Sequence, residues 1–132
     1  MIIVDTSVWI DFFNDVNSKQ SRILEDLLLN DDSLCINGLI EMEILQGIRN
    51  ETQFVKLKKY LQPFQYFPVI KSSHIAASID IFRTCRKRGK TIRKSMDCLI
   101  AGTAMVEGLT ILHKDRDFTT ISKVIRDIRV IS

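Results

Sequence analysis

Met1-Ile2-Ile3-Val4-Asp5-Thr6-Ser7-Val8-Trp9-Ile10 opens the chain. Ile2, Ile3 and Val4 form a β-branched run too apolar for a strand with one face in water. They read as a short strand buried on both faces. Asp5, Thr6 and Ser7 follow at once with side-chain oxygens suited to capping a helix. That helix carries Val8, Trp9, Phe12 and Phe13. In parallel sheets covered by helices, ligands bind outside the carboxyl ends of the strands, so the residue to follow is Asp5.

The pattern repeats outward from there. Ser18 or Ser21 opens a helix with Ile23, Leu24, Leu27 and Leu28, and Asn30-Asp31-Asp32-Ser33 is a turn cluster. Leu34-Cys35-Ile36 is a second short strand. A helix from Leu39 to Gln46 ends at Gly47 as a C′ glycine, and another from Glu51 to Gln62 stops before Pro63. Phe67-Pro68-Val69 is read as extended. Ser72 or Ser73 caps a helix with Ile75, Ala76, Ile79 and Phe82 that ends near Gly89. Ser95 caps Met96–Glu107, closed by Gly108. Leu109–Leu112 and Ile128–Ile131 are strands, with a short helix near Asp117 and Thr120 between them. Short apolar strands alternating with helices predict a three-layer α/β/α sandwich around a central, mainly parallel sheet.

The chain has 132 residues, one domain's worth, and no linker-like stretch divides 1–132. Hydrophobic residues at 45% and charged residues at 27% are those of a globular protein and argue against disorder. The net charge of +3 permits a polyanionic partner without requiring one. No apolar run approaches the ~20 residues of a bilayer span, and the N-terminus lacks the basic region of a signal peptide. Cys35, Cys85 and Cys98 form no C-x-x-C pair, so reduced, mostly buried thiols in a cytosol are expected. A structural zinc site is excluded on ligand supply, since neither of the two histidines sits near a cysteine pair.

The chemistry lies in the acids. Asp5 ends the first strand. Asp115 and Asp117 follow the strand at Leu109–Leu112. Glu43 sits on the helix after the second strand, and Asp97 in the first turn of the helix that Ser95 opens. Each has a plain structural reading as a cap or turn residue, and the macrodipole alone favours Asp97. Together they could gather at one sheet edge, where carboxylates repel one another unless a cation joins them. Hard divalent ions, Mg²⁺ or Mn²⁺, take such oxygen ligands together with phosphate. Hydrolysis of a phosphodiester fits that arrangement.

Four segments resemble the PIN-domain ribonucleases of the VapC toxin type, in the family's order. They are Met1–Ile10, Met42-Glu43-Ile44-Leu45-Gln46-Gly47, Lys94-Ser95-Met96-Asp97-Cys98-Leu99-Ile100-Ala101 and Leu112-His113-Lys114-Asp115-Arg116-Asp117-Phe118. The likeness runs from Met1 to about Ser122. It implies that Asp5, Glu43, Asp97 and Asp115 are the catalytic, metal-binding acids, with Asp117 an additional acid toward the metal. Thr6 or Ser7 would lend a hydroxyl. Glu41 competes with Glu43, but two residues turn a helix by about 200°, and the spacing to Gly47 favours Glu43. The resemblance further implies RNA cleavage by metal-activated water, with Glu43 or Asp97 helping to deprotonate it. Products would carry 5′-phosphate and 3′-hydroxyl ends. It also implies a structured RNA substrate such as tRNA, a small VapB-like antitoxin whose helix lies in an apolar groove, and a homodimer; the cytoplasmic location follows from the cysteines.

Between Arg83 and Lys94, seven of twelve residues are basic and none is acidic. Arg86, Lys87, Arg88, Lys90, Arg93 and Lys94 are therefore candidate RNA contacts, against the alternative of a solvated helix end. His113 is read as a strand-end residue that orients its loop. Trp9, Phe12 and Phe13 are read mostly as core, and Phe64, Tyr66 and Phe67 as packing residues at a rigid turn. Two other classes of function compete. A phosphoacceptor signalling domain needs an early acidic pair and a lone late lysine. Here the early acid is single and acids follow the late strand. A non-catalytic RNA-binding module would bind through Arg83–Lys94 without metal.

Overall fold

The computed structural model describes residues 1–67 and 70–132. Among them are five strands and seven helices. The strands are β1 (Ile2–Val4), β2 (Leu34–Asn37), β3 (Gln65–Phe67), β4 (Thr110–Leu112) and β5 (Arg129–Ile131). The helices are α1 (Thr6–Phe13), α2 (Lys19–Leu29), α3 (Gly38–Gln46), α4 (Glu51–Leu61), α5 (Ser72–Lys87), α6 (Ser95–Glu107) and α7 (Arg116–Val124). Pro68 and Val69 of the expected extended stretch lie outside the described residues.

The sheet order is β3-β2-β1-β4-β5, and every neighbouring pair is parallel. From β1 the chain steps outward to β2 and β3, then crosses back to β4 and continues the other way to β5. Right-handed crossovers in opposite directions put helices on opposite faces. The packing follows this division: α1 lies on α2 and α3, and α3 on α4, whereas α5 packs on α6 and α7, and α6 on α7. The expected α/β/α sandwich is what forms. Its switch point lies between β1 and β4, where such sheets open a crevice for ligands. Ile3, Val4, Cys35, Ile36, Ile111 and Leu112 are buried in the middle layer, as doubly covered strands require.

Local chemistry sets the helix ends, with some corrections. Ser18 caps α2, and Ser21 returns the bond to the Ser18 amide, so both serines take part. Neither Ser72 nor Ser95 is a cap: each is the first residue of its helix, with Lys71 and Lys94 at the N-cap positions. In place of a serine oxygen, the His74 ring takes the Lys71 amide on Nδ1 at 3.4 Å. Gly47 ends α3 at φ −82°, right-handed backbone open to any residue, so no left-handed turn requires a glycine there. Gly108 does close α6 at φ +69°, the left-handed conformation where a side chain is strained.

The tightest helix contact is α5 on α6. A Cβ at Gly102 would collide with Ser78 Oγ and sit 2.9 Å from the Ser78 amide and 3.0 Å from the His74 carbonyl oxygen. Across the same pair, His74 Nε2 lies 2.9 Å and Lys71 Nζ 3.0 Å from Glu107 Oε1. Gly102→Ala should destabilise the protein by about 1–2 kcal/mol, overpacking outweighing the gain in helix propensity. Thermal unfolding of the variant would show a Tm several degrees lower. An unchanged or higher Tm would contradict this close approach.

Candidate active site

Two strand ends and two helices supply the acids. Asp5 follows β1 and caps α1, its Oδ2 accepting the Ser7 hydroxyl at 2.6 Å and the Ser7 amide at 3.4 Å. Glu43, on α3, accepts the Thr6 hydroxyl on Oε1 at 3.0 Å. The two hydroxyls left open as alternatives thus both act, each on a different acid. Asp97 is the third residue of α6, where helix amides and dipole favour negative charge. Asp115 caps α7 by accepting the Asp117 amide at 2.9 Å, which brings Asp117 into the first turn.

The structure gathers these groups. One carboxylate oxygen each from Asp97, Asp115 and Asp117 lies within 4.8 Å of the others. Asp5, Glu43, Asp97 and Asp115 line one cleft of about 570 Å³ at the carboxyl edge of β1 and β4, together with Thr6 and Ser7. Asp117 belongs to the close triad but is buried and does not line the cleft. Glu41 faces a separate depression with Lys58 and Tyr66, in keeping with the preference for Glu43.

Asp97 is the critical member. Its residue is 6% exposed, and Oδ2 is fully buried with no hydrogen-bond partner. Burial first, and then the charges of Asp5 and Asp115, push its pKa up to about 7; Asp117 adds to this and Lys94 opposes it. A buried carboxylate oxygen without a partner is costly. Either a proton or a cation relieves it, and an all-oxygen donor set of converging acids suits a hard divalent ion. These residues therefore fit Mg²⁺ or Mn²⁺, with Asp97, Asp115 and Asp117 the closest set and Asp5 and Glu43 beside it.

The six candidate basic residues separate into two groups. Arg93 and Lys94 line the cleft. Arg93 reaches Asp117 Oδ2 at 3.3 Å and Asp115 Oδ1 at 3.5 Å, and Lys94 reaches Asp115 Oδ2 at 3.9 Å. Both cations are more than half exposed, so the pairs are weak and screened and leave them able to turn to phosphate. Arg86, Lys87, Arg88 and Lys90 are exposed at the end of α5 and the turn after it and do not line the cleft. Arg86 stacks on Phe82 at 5.5 Å.

Other residues take structural places. His113 is 1% exposed; its amide bonds the Ile131 carbonyl at 3.0 Å and its ring packs on Phe118 at 5.3 Å. Neither ring nitrogen has a partner at hydrogen-bond distance and angle. Burial lowers its pKa despite an opposing pull from the Asp115 backbone and the carboxylates of Asp5 and Asp115, which favours the neutral ring. The cysteines are free and buried, and burial pushes the Cys35 and Cys98 thiols up to about 12. Trp9 is fully buried, while Phe12 and Phe13 are half-buried in an aromatic cluster with Tyr60 and Phe64. Tyr66 corrects the packing expectation, lying 43% exposed on edge strand β3. Lys114 and Arg116 also line the cleft, although sequence reasoning did not single them out. The available signal was their interleaving with Asp115 and Asp117.

Residues 2–124 match the family described as the PIN domain. The chain is 30% identical over 125 residues to the VapC ribonuclease Mb1587 of Mycobacterium bovis, covering 94% of this chain and 93% of that one. Ribonuclease VapC11 of Mycobacterium tuberculosis matches with the same identity and coverage. In fold it is similar to VapBC2 from Rickettsia felis bound to a promoter DNA fragment, with TM-score 0.76, 16% identity and coverage of 99% and 98%. It is also similar to FitAcB from Neisseria gonorrhoeae, with TM-score 0.74, 20% identity and coverage of 100% and 97%. The chain belongs to the PIN-domain family, among its VapC-type members.

The raised Asp97 pKa makes a prediction about stability. Unfolded, this carboxyl loses its proton near 4; folded, it keeps it to about 7. Between those values the native state binds more protons, so this group's contribution falls as pH rises and levels off above 7. Without divalent ions, Asp97→Asn should melt above the parent at pH 8, and the gap should close toward pH 5. Urea or thermal melts at both pH values would test this. Parallel pH profiles for the two proteins would contradict it.

Proposed function

We propose that this chain is a Mg²⁺- or Mn²⁺-dependent endoribonuclease, the toxin of a VapBC-type toxin–antitoxin pair, formed by a single domain over 1–132. The observation that carries the reading is the partnerless, buried Asp97 oxygen among converging acids, with cations on the same cleft. The names of the VapC relatives agree with it.

Asp97, Asp115 and Asp117, with Asp5 beside them, would hold the ion. When bound, it supplies positive charge toward the scissile phosphate and lowers the pKa of water. Glu43, whose carboxylate accepts the Thr6 hydroxyl, would take the proton of the attacking water. Ser7 fixes Asp5 in the same way. Arg93 and Lys94 offset the repulsion between RNA phosphates and the acidic cluster, and the exposed Arg86–Lys90 stretch extends the positive surface for more distant phosphates. Water would add at phosphorus as the P–O3′ bond breaks, with the departing O3′ taking a proton from solvent, leaving 5′-phosphate and 3′-hydroxyl ends. Transfer RNA is the substrate class to try first, and the cytoplasm the compartment where it would be met. Among the described residues no helix is long and apolar enough to cross a membrane.

A trough of about 440 Å³ adjoins the cleft, sharing Ile10 and Glu43 with it; Phe13, Ile44, Ile48 and Leu57 give it an apolar floor, and Asn14, Arg49, Asn50 and Gln53 also line it. It suits the apolar face of an antitoxin helix, from which a tail could reach the acids. On the other side, α5 exposes Ile75 at 42% and Ile79 at 53%, with half-buried Phe82 on the same helical face. That stripe suits a homodimer contact.

Two measurements test the reading. The purified protein should cut total RNA with Mn²⁺ or Mg²⁺ and not with EDTA. Asp5→Ala and Glu43→Gln should each lose about a hundredfold or more in rate. Metal-independent cutting, undiminished cutting by the variants, or binding without cleavage would overturn it. Separately, sedimentation should give a dimer for the parent and a monomer for Ile79→Glu. A monomeric parent would remove the dimer from the account, and a dimeric variant would remove this stripe as its contact.

A further inference from the structure

Lys114 lies in the turn between β4 and α7, next to Asp115, and lines the acidic cleft. Its ammonium Nζ is 2.6 Å from Asp11 Oδ2 on α1. Asp11 is six residues beyond Asp5, about 9 Å further along the helix. The Asp11 side chain is 9% exposed and that of Lys114 37%, so the carboxylate is the buried anchor and the lysine side chain stays partly in solvent. The hydrogen bond from Lys114 is the main cause holding the Asp11 pKa below its ordinary value. An ammonium carries three donors, and this carboxylate oxygen takes one. Arg93 and Lys94 enter the same cleft from the α5–α6 loop and pair with Asp115 and Asp117. Lys114 is turned to α1 instead. With Arg116 at the start of α7, the cleft thus carries positive charge on more than one element, and a polyanion crossing the acids would need neutralisation on both sides of them.

Resting on the reading of the cleft as an RNA-cleaving site, we propose that Lys114, anchored by Asp11, is a phosphate-binding residue. It would position the RNA backbone from the α1 side, next to the carboxylates. The competing role is a purely structural tie between α1 and the β4–α7 turn. Lys114→Met alone confounds the two, because it strands a buried carboxylate. The double variant Asp11→Asn with Lys114→Met removes both charges and separates them.

The experiment compares the parent, Lys114→Met, Asp11→Asn and the double variant. It measures Tm, KM and kcat with Mn²⁺ on one RNA, and the salt dependence of binding to a single-stranded RNA oligonucleotide by fluorescence anisotropy. The double variant should regain Tm relative to Lys114→Met. Its KM should remain about tenfold above the parent's, with a smaller change in kcat. Its slope of log binding constant against log salt should be shallower by about 0.7, one phosphate contact in a single strand. Asp11→Asn, which keeps the cation, should retain the parental slope. A double variant with parental KM and slope would overturn the proposal and leave the pair structural. A parent that cuts no RNA with metal would overturn the nuclease reading itself, a result distinct from an active parent indifferent to Lys114.

Discussion

Carboxylates in a shared, partly buried cleft repel one another, and each further one raises the cost of ionising the next. The chain nevertheless brings Asp5, Asp97 and Asp115 close enough that their charges and burial together push Asp97 up to about 7. Nothing in the packing of the core demands that arrangement. Ile3, Val4, Ile111 and Leu112 would fill the middle layer equally well whatever followed the strands. The cluster makes physical sense as a seat for a dication, and most of the surrounding detail serves it. Ser7 fixes Asp5, Thr6 fixes Glu43, and the Asp115 cap brings Asp117 into place.

The scaffold explains how sequence-distant acids meet. Reversal of direction at β1 makes β1 and β4 neighbours, with Val4 paired to Leu112, so the chain leaves the sheet side by side at residues 5 and 113, two residues before Asp115. α6 must then point its first turn, with Asp97, at the same edge. Its position depends on α5, which it approaches closely enough that Gly102 has no room for a side chain. A small residue deep in a helix pair is in this way connected to the placement of a carboxylate five residues earlier.

Much of this arrangement is legible in the sequence. The apolar run Ile2–Val4 followed by Asp5 announces a doubly buried strand ending in an acid, because period-two alternation is absent and a capping residue comes next. The alternation of such strands with helical spacing carries the layer order. Convergence of the acids could only be argued from charge and family likeness, since spacing along the chain does not reveal which strands are neighbours. Caps at Ser72 and Ser95 failed as expectations because a serine at the first helical position and one at the N-cap look alike in sequence. The positions of Arg93 and Lys94 differ from those of Arg86–Lys90 for a reason that composition hides: the turn after α5 carries only the last two into the cleft. The pairing of Lys114 with Asp11 is hidden in the sequence because the two lie 103 residues apart.

The claim that the acids form a cation site is tested most directly by binding rather than by activity. Calorimetric or electron-spin titration of Mn²⁺ into the parent at pH 8 should show saturable binding at low stoichiometry. Asp97→Asn and Asp115→Asn, both still folded by circular dichroism, should lose it. Equal Mn²⁺ binding by parent and variants, or none by the parent, would contradict the account.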